Sequence, residues 1–352
     1  MIDVAFAIPG DIEAATGGYA YARKVLRLLP DFGVNGHHIA LPGSFPNPAA
    51  EDLELTRRLL DQLLPTTPIL FDGLAFGALP VETLDGLRSP IVALVHHPLA
   101  LETGLDDERR RQLRDSERAS LARASAVIAT SPLTARTLTA EYGVEPVRLT
   151  VAEPGTEPAI RARGTGRPFT ILAVGSLIPR KGYRHLIEAL AMLGRTDWHL
   201  TIVGSPAHDP AEANRIREMV LASGRRGRIN IAGAVSAREL QRLYTHADLF
   251  VMPSLYEGYG MVLAEAMARG LAIVSTTGGA AAETVPDDAA IKVQPGDSQA
   301  LAEAIVALID DPARLGRMRD ASWSAGLALP RWRRTAEIIA GVLKAQHKEL
   351  TT

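Results

Sequence analysis

Short apolar runs alternate with helical patterns along the whole chain, and this alternation constrains the fold more than any other feature. It predicts parallel sheets whose strands are joined by crossover helices, in an α/β architecture. The first half contains six predicted strands: Val4–Ile8, His38–Leu41, Ile69–Phe71, Ile91–His96, Ala126–Thr130 and Leu149–Ala152. Its four predicted helices are Tyr19–Leu29, Ala50–Leu64, Asp107–Ala124 and Pro132–Tyr142.

A segment without periodicity separates two such sets of elements. Residues 153–168 contain several Pro and Gly, as linkers do, between an N-terminal domain of residues 1–160 and a C-terminal domain of residues 161–330. The second half contains six predicted strands: Thr170–Val174, His199–Val203, Ile229–Ala232, Leu249–Met252, Ala272–Ser275 and Ala290–Val293. Its predicted helices are Gly182–Leu193, Ala211–Ser223, Ala237–His246, Met261–Arg269, Ser298–Asp310, Ala313–Ala328 and Trp332–Lys344.

Two carboxylates, Glu257 and Glu265, stand eight positions apart in the stretch from Pro253 to Gly279. Gly258 and Gly260 lie between them and lead into the helix that contains Glu265. Free N–H groups at a helix start attract phosphates, and glycines let the backbone approach a ligand closely. Carboxylates accept hydrogen bonds from sugar hydroxyls. The pattern suits a ligand with a diphosphate in its middle and hydroxyl groups at both ends.

Each glutamate also has a purely structural interpretation. Glu265 could be an ordinary surface residue, but its helix is apolar nearly all round and is expected to be buried. A buried glutamate without a partner is costly, which favours a role facing a ligand. Glu257 alone could be a solvated loop residue, and its pairing with Glu265 is what supports a binding role.

This stretch resembles the Glu-seven residues-Glu motif of retaining GT-B glycosyltransferases of the family four type. The family pattern is P-S-x-x-E-G-F-G-x-x-x-x-E-A-M-A-x-G, followed by a strand, a Gly-Gly turn and a further Glu. The chain matches it almost throughout, with Tyr259 in place of Phe and Glu283 as the further Glu. The resemblance implies a GT-B fold of two Rossmann-like, doubly wound parallel-sheet domains facing a cleft, with residues 331–352 completing the first domain.

The resemblance also implies roles within the motif. Glu265 would hold the ribose hydroxyls of a nucleotide, and Glu257 would hold hydroxyls of the donor sugar without acting as a nucleophile. Neighbouring backbone groups would bind phosphate or sugar, in the run Gly258, Tyr259, Gly260, Met261, Val262 and Leu263. The role of Glu283 stays open.

A second cluster lies where residues 174–183 read VGSLIPRKGY, at the end of a predicted strand. Arg180 and Lys181 stand at a helix start. The chain contains only five lysines but 33 arginines, so a lysine at this position is not expected by chance. Two cations there can neutralise a departing diphosphate, whereas the structural alternative is a solvated basic turn. The segment resembles the family sequence G-R-L-x-x-x-K-G. Lys181 matches the lysine, Ser176 replaces the arginine, and Arg180 could substitute for that arginine.

Further candidates lie at predicted strand ends, where the side chains of such sheets meet ligands. Gly17 and Gly18 open a helix after the first strand and, by resemblance, approach the sugar and phosphates.

Two histidines, His96 and His97, lie at the end of another predicted strand. For a lone histidine at a strand end, a structural role would be the simpler interpretation. Relatives carry a histidine at the end of the strand Ile91–His96, so His96 is assigned to orienting the transferred sugar, and His97 is the alternative.

Two more positions resemble family segments that line the nucleobase pocket, largely through backbone groups. Gly204 ends one strand of the second half, and Val235 follows the next strand. Glycine at strand ends is common, so each signal is modest by itself.

Composition narrows the class of protein. The 352 residues allow two domains, and 47% hydrophobic with 22% charged residues is typical of soluble globular proteins. No apolar run approaches twenty residues, and the N-terminus resembles a first strand rather than a secretory signal. The absence of cysteine excludes disulfides and thiolate metal sites and fits a cytoplasmic enzyme. A net charge of -2 gives no indication of nucleic-acid binding.

Charge is distributed unevenly along the chain. Residues 1–160 hold 14 basic and 21 acidic residues, a net of -7, and residues 161–352 hold 24 basic and 19 acidic residues, a net of +5. The basic second half suits a nucleotide diphosphate bound there, and the acidic first half argues against docking onto an anionic membrane. Scattered solvated charge explains the asymmetry equally well.

These features predict a retaining glycosyltransferase of the hexosyltransferase type that moves a sugar from a UDP- or GDP-sugar to an unidentified acceptor. We expect it to be metal-independent and to need no cofactor, because the nucleotide sugar is the donor and the two cations stabilise the leaving diphosphate. The acceptor could be a small molecule, a glycan or a lipid-linked molecule, and peripheral membrane contact stays open. No nucleic-acid partner is expected.

Two other classes of function remain. A sugar-nucleotide epimerase with a GT-B fold would bind the same donor and release a changed nucleotide sugar without an acceptor. A non-catalytic nucleotide-sugar-binding protein would be expected to lack Glu257, Glu265, Lys181 or the histidine, and all are present. A dinucleotide dehydrogenase is disfavoured, because no G-x-G-x-x-G with a downstream acidic residue opens either half.

Overall fold

The structure, a computed structural model, describes residues 1–194 and 197–351. The chain forms two compact units. Unit 1 comprises Met1–Gly155 and Pro330–Thr352, and unit 2 comprises Thr156–Leu329. The sequence analysis placed the boundary at residue 160, inside a stretch, residues 152–168, that has neither helix nor strand.

Unit 1 is built on a six-stranded sheet in which every pair of neighbours is parallel. The spatial order is β2-β1-β3-β4-β5-β6. The strands are β1 (Ile2–Pro9), β2 (Val34–Leu41), β3 (Ile69–Asp72), β4 (Ile91–Val95), β5 (Ala126–Ala129) and β6 (Leu149–Val151). The helices between them are α1 (Gly17–Leu28), α2 (Ala50–Asp61), α3 (Gly73–Phe76), α4 (Asp107–Arg123) and α5 (Pro132–Tyr142).

Unit 2 contains a second parallel six-stranded sheet, in the order β12-β11-β10-β7-β8-β9. Its strands are β7 (Phe169–Val174), β8 (Trp198–Val203), β9 (Ile229–Gly233), β10 (Leu249–Met252), β11 (Ala272–Thr276) and β12 (Ala290–Val293). Its helices are α6 (Tyr183–Met192), α7 (Pro210–Ala222), α8 (Ala237–His246), α9 (Met261–Met267), α10 (Ala281–Thr284), α11 (Ser298–Asp310) and α12 (Pro312–Ala328).

Both faces of the second sheet are buried, as expected for a parallel sheet covered by helices. Alternate residues of β10 belong to different hydrophobic clusters, because successive side chains of a strand point to opposite faces. Leu249 and Val251 lie in one cluster, and Phe250 and Met252 lie in the other. The sheet is therefore the middle layer of a three-layer α/β unit.

The last helix, α13 (Trp332–Thr351), packs against α1 and completes unit 1. The backbone of Gly155 packs directly against the start of this helix. The approach is so close that a Cβ at Gly155 would lie 2.1 Å from the backbone nitrogen of Trp332. The hydroxyl of Thr335 donates a hydrogen bond to the carbonyl of Glu153 at 2.7 Å. Residue 352, which the sequence analysis included in this segment, lies outside the described residues.

The predicted strands and helices all occur, and most bounds differ by one or two residues. The strand β2 begins four residues earlier than predicted, at Val34, and α2 ends at Asp61. Pro65 follows closely and disfavours helical geometry in the residue before it. The sequence analysis missed α3 and α10, which have four residues each and are too short to show helical periodicity. In the part of the chain that the structure describes, we find no helix long and apolar enough to cross a membrane.

Candidate functional site

The strand order of unit 2 reverses between β7 and β10. From β7 the chain continues through β8 and β9 on one side, and β10, β11 and β12 then extend the sheet on the other side. In sheets of this kind, ligands bind outside the carboxyl ends of the strands at such a reversal. The loop after β7 carries Arg180 and Lys181, and the loop after β10 carries Glu257. Topology therefore brings the predicted cations and the predicted carboxylate to one place.

These three side chains form a buried ionic cluster. The Lys181 Nζ donates to Oε1 of Glu257 at 2.6 Å, and Nη1 of Arg180 lies 3.7 Å from Oε2. The exposed fractions of the side chains are 15% for Lys181, 13% for Arg180 and 7% for Glu257. Because two cations share one carboxylate, the cluster has a net charge of about +1 and is suited to an anionic ligand. The contact among these three residues, which have separate roles in the sequence-based interpretation, is not predicted by the sequence pattern.

Backbone contacts hold the two loops of the cluster together. The Leu255 N–H donates to the carbonyl of Arg180 at 2.7 Å, and Nη1 of Arg180 donates to the carbonyl of Tyr256 at 2.8 Å. Gly182 has φ +65°, and a Cβ there would lie 2.1 Å from the carbonyl oxygen of Pro253. Only glycine allows this close approach in a left-handed conformation. The charged side chains are thus mounted on two loops with a fixed mutual position.

Charge in the cluster determines the ionisation of Glu257. Burial by itself would raise the pKa of this carboxyl group, but Lys181 and then Arg180 outweigh burial and hold the pKa below its ordinary value. Glu257 is therefore ionised at neutral pH and accepts hydrogen bonds only. In that state its oxygens can accept hydrogen bonds from hydroxyl groups.

The Gly-Gly turn after β11 fixes the backbone of Glu257. The Glu257 N–H donates to the carbonyl of Gly278 at 3.1 Å, and the Ala280 N–H donates to the carbonyl of Glu257 at 2.8 Å. Gly279 has φ +66°, and a Cβ there would lie 2.3 Å from the Glu257 carbonyl oxygen. The sequence analysis noted this turn as part of the family pattern, and the structure gives it a positioning role.

The second glutamate, Glu265, lies on α9 and is partly exposed. Its Oε2 accepts a hydrogen bond from the hydroxyl of Tyr244 on α8 at 3.0 Å. The guanidinium of Arg269 lies 4.3 Å from the centre of the Tyr244 ring and donates through Nη1 to the carbonyl of Glu265 at 2.8 Å. The expectation of a largely buried α9 agrees with its buried Leu263 and Met267, among others. The sequence analysis did not identify Tyr244, which the pattern of α8 marks only as an apolar position.

In the predicted binding run, residues 258–263, the larger side chains pack into or against the core. The side chains of Tyr259 and Leu263 lie in the hydrophobic core, and those of Met261 and Val262 pack against it. Gly260 has φ +90° and begins α9 without a side-chain cap. The Leu263 N–H donates to the carbonyl of Gly260 at 2.8 Å. The Leu263 side chain is therefore a packing group, and the assignment of this residue to ligand binding stays a prediction.

Gly204 and Val235, which were predicted to line the nucleobase pocket, both have clear packing roles. A Cβ at Gly204 would lie 1.8 Å from the carbonyl oxygen of Gly175, so only glycine fits where the ends of β7 and β8 meet. Val235 is partly buried against the cluster that contains Tyr244 and Phe250. Their contact with a nucleobase stays a prediction.

The other predicted residues lie in unit 1, whose strand order reverses between β1 and β3. Gly18 in the first turn of α1 lies beside His96, since a Cβ at Gly18 would be 3.5 Å from Nε2 of the imidazole. Gly17 begins the helix and is exposed. The ring of Tyr21 packs edge-on against His96, with 5.3 Å between ring centres. The two predicted segments of unit 1 are therefore in contact.

Asp72, at the end of β3, is a functional candidate that the sequence analysis missed. Its Oδ2 lies 3.8 Å from Nε2 of His96, and its Oδ1 accepts the N–H of Leu74 at 2.9 Å. Nε2 of His96 is buried and has no hydrogen-bond partner among the described residues. Burial raises the pKa of Asp72 to about 6 and, with a smaller contribution from His97, lowers the pKa of His96 to about 4. The feature of the sequence that could have identified Asp72 is its position as an acidic residue at the end of a strand.

The structure distinguishes the two candidate histidines. Nε2 of His97 lies 3.4 Å from Oε2 of Glu102, in an ion-pair geometry. His96 instead contacts Gly18 and lies near Asp72. His96 therefore lies beside other candidate residues of unit 1, and which of the two histidines contacts a ligand stays a prediction.

Two family models match consecutive parts of the chain. "Glycosyltransferase Family 4" matches residues 19–159, and "Glycosyl transferases group 1" matches residues 158–323. The first match lies in the part of the chain that carries Asp72 and His96. The second contains the ionic cluster, Tyr244 and Glu265.

Curated relatives are similar over about two thirds of this chain. The MMP alpha-(1->4)-mannosyltransferase of Mycolicibacterium hassiacum is 29% identical over 66% of this chain and 59% of its own length. A D-inositol 3-phosphate glycosyltransferase of Arthrobacter sp. is 30% identical over 68% of this chain and 60% of its own length. The matched segments thus span about 60% of the length of these relatives.

Solved structures share the fold over the whole chain. Sucrose-phosphate synthase from Thermosynechococcus elongatus superposes with a TM-score of 0.82 at 22% identity, covering 100% of this chain and 99% of that chain. Anabaena HepE in complex with UDP-glucose gives a TM-score of 0.74 at 16% identity, covering 100% of both chains. The two parallel-sheet units therefore constitute the GT-B fold predicted from the sequence.

Proposed function

Because the chain belongs to the family four type of GT-B glycosyltransferases, we propose that it transfers a sugar from a nucleoside-diphosphate sugar to an acceptor. The observation that carries this proposal is the buried cluster of Arg180, Lys181 and Glu257 at the strand-order reversal of unit 2. A cluster with more positive than negative charge binds a diphosphate, and its carboxylate accepts sugar hydroxyls beside the phosphate.

The donor is bound by groups with distinct roles. Glu265 holds the ribose hydroxyls, and Glu257 holds hydroxyls of the transferred sugar. Lys181 is within reach of both Glu257 and an incoming phosphate, because its ammonium group has three donors. UDP- and GDP-sugars are the donor classes to test, and HepE, which shares the fold, was solved in complex with UDP-glucose.

Charge stabilisation by protein cations removes the need for a metal ion at the leaving group. As the bond between sugar and phosphate breaks, negative charge accumulates on the diphosphate, and cations already in place stabilise it without reorganisation. We propose that Arg180 and Lys181 perform this task and that transfer is metal-independent. The leaving phosphate then helps to remove the proton of the acceptor hydroxyl on the same face of the sugar, so the configuration is retained.

In unit 1, His96 is the proposed contact for the transferred sugar. Its lowered pKa keeps the imidazole neutral at pH 7, so it can donate one hydrogen bond and accept another. Asp72 lies near enough to Nε2 to bind the same hydroxyl group, because an oxygen about 2.8 Å from each atom would bridge their 3.8 Å separation. We assign both residues to hydroxyl recognition rather than to nucleophilic attack.

Thermal-shift measurements with UDP, GDP and their sugars test this proposal, since a ligand that binds only the folded state raises the melting temperature. We expect one nucleoside diphosphate to stabilise the protein, and Glu265→Ala to remove most of that shift. The matched control is Glu303→Ala on α11, an exposed glutamate. The proposal fails if neither nucleotide changes the melting temperature of the unmodified protein.

Product analysis then distinguishes transfer from epimerisation. The protein is incubated with the stabilising nucleotide sugar and with acceptors such as D-inositol 3-phosphate, which the name of one relative suggests. A transferase releases nucleoside diphosphate and a glycosylated acceptor that mass spectrometry detects. An altered nucleotide sugar formed without acceptor would identify an epimerase instead.

A further inference from the structure

Tyr244 is a buried residue whose hydroxyl group reaches the proposed ribose-binding carboxylate. Its side chain is fully buried, and the hydroxyl donates to Oε2 of Glu265 at 3.0 Å. A buried hydroxyl needs a hydrogen-bond partner, because burying it without one is energetically costly. Glu265 is thus part of the packing of α8 as well as a candidate ligand residue.

The Tyr244 ring is held on two sides. The ring of Phe250 on β10 stacks on it with 5.8 Å between ring centres, and the Arg269 guanidinium lies 4.3 Å from its centre. Arg269 also donates to the backbone carbonyl of Glu265. The phenol therefore has little freedom to move, and the carboxylate it contacts is oriented from both its side chain and its backbone.

The hydrogen bond has a fixed direction. Burial, followed by the negative charge of Glu265, raises the pKa of Tyr244 well above its ordinary value, so the phenol remains protonated. A carboxylate only accepts hydrogen bonds, and it has about four sites for them. The Tyr244 hydroxyl occupies one of these sites and thereby sets the orientation of the carboxylate.

We propose that Tyr244 is a positioning residue that orients the Glu265 carboxylate for the ribose hydroxyls of the donor nucleotide. The proposal rests on the proposed function and extends it to a residue outside the glutamate motif. Its physical basis is preorganisation: a carboxylate already fixed in its bound orientation loses less side-chain entropy when the ligand binds.

Tyr244→Phe tests the proposal, since it removes the hydroxyl and keeps the ring. Calorimetric titration with UDP and GDP is compared with titration of their 2′,3′-dideoxy analogues, which lack the hydroxyls that Glu265 would bind. We expect Tyr244→Phe to weaken binding of the natural nucleotide about tenfold, as one charge-assisted hydrogen bond can. Binding of the dideoxy analogue should change less than twofold, because the oriented carboxylate no longer matters for it.

Two controls separate positioning from general damage. Tyr142→Phe makes the same chemical change at a buried tyrosine of α5 in unit 1 and should leave affinity unchanged. Combining Tyr244→Phe with Glu265→Gln should give a loss smaller than the sum of the two single losses, since both act on one interaction. Arg269→Gln, which keeps the tyrosine, should show a smaller loss with the same dependence on ribose hydroxyls and serves if Tyr244→Phe does not fold.

The outcomes are distinct. An unchanged affinity of Tyr244→Phe for the natural nucleotide overturns the inference and leaves the proposed function intact. An equal loss for natural and dideoxy nucleotides also overturns it, because Tyr244 would then act on the fold or the base. If the unmodified protein binds neither UDP nor GDP, the proposed function itself fails and the inference falls with it.

Discussion

Replacing Asp72 by asparagine should make the protein more stable and less active. The Asp72 side chain is only 5% exposed, and burial raises its pKa from 3.8 to about 6. Between these values the folded state binds more protons than the unfolded state, so the stability contributed by this group falls as pH rises through the interval. Above pH 6 the full cost of a buried carboxylate is present.

The size of the effect follows from the pKa difference. A shift of about two units corresponds to about 3 kcal/mol, at about 1.4 kcal/mol per unit. Asparagine has nearly the same shape and caps helices as well as aspartate does, so the contact with the Leu74 N–H is retained. We therefore expect Asp72→Asn to stabilise unit 1 by about 1–3 kcal/mol at pH 7.5 and by almost nothing at pH 4. The lowered pKa of His96 makes the stability of both the unmodified protein and Asp72→Asn depend on pH. This dependence largely cancels in the difference between the two stabilities.

Urea unfolding at pH 4, 6 and 7.5, followed by hydrogen exchange in peptides from β3 and β4, measures this difference in unit 1. The matched control is Asp52→Asn, because Asp52 also accepts a backbone N–H at a helix start but is only partly buried. Its pKa is lowered by hydrogen bonds from Ser44 and Ala49, so the control should lose stability at neutral pH rather than gain it. A difference between Asp72→Asn and the unmodified protein that does not grow with pH would refute the reasoning. Full transfer activity in Asp72→Asn would remove Asp72 from the site.

Three further predictions concern unit 2. Lys181→Met should weaken binding of the nucleoside diphosphate about 10- to 100-fold in calorimetry, since it deletes a charge-assisted hydrogen bond, and unchanged affinity would contradict the cluster's role. Gly279→Ala should destabilise unit 2 by more than about 1 kcal/mol in urea unfolding, because its Cβ would meet the Glu257 carbonyl. The matched control is Gly316→Ala on α12, where a Cβ has open space, and it should be neutral or stabilising. Equal destabilisation by the two substitutions would refute the prediction for Gly279. Transfer assayed with EDTA should retain its rate, whereas loss restored by Mg²⁺ would show that a metal is required.

Much of the fold was predictable because its signals are local. In residues 1–194 and 197–351, alternating apolar runs and helical patterns located all twelve strands and every α-helix except two of four residues each. The glutamate motif indicated the family, which the two family models confirm. The sequence nominated Glu257, Lys181 and His96 as candidate residues, whose roles stay predictions, and it assigned no role to Asp72 or Tyr244. Asp72 is an acidic residue at a strand end, a signal that was available but not used, whereas Tyr244 occupies an apolar position of a helix and does not stand out in the sequence.

The sequence by itself determined which segments form the strands and the longer helices, and it nominated residues whose chemical roles are proposed. Only the tertiary structure decided which of these residues meet. Lys181 and Glu257 are 76 positions apart and contact each other because β7 and β10 are neighbours at the strand-order reversal. Propensity and periodicity act over a few residues, whereas strand order depends on how whole βα units pack together. That is why the ionic cluster became visible only in the folded chain.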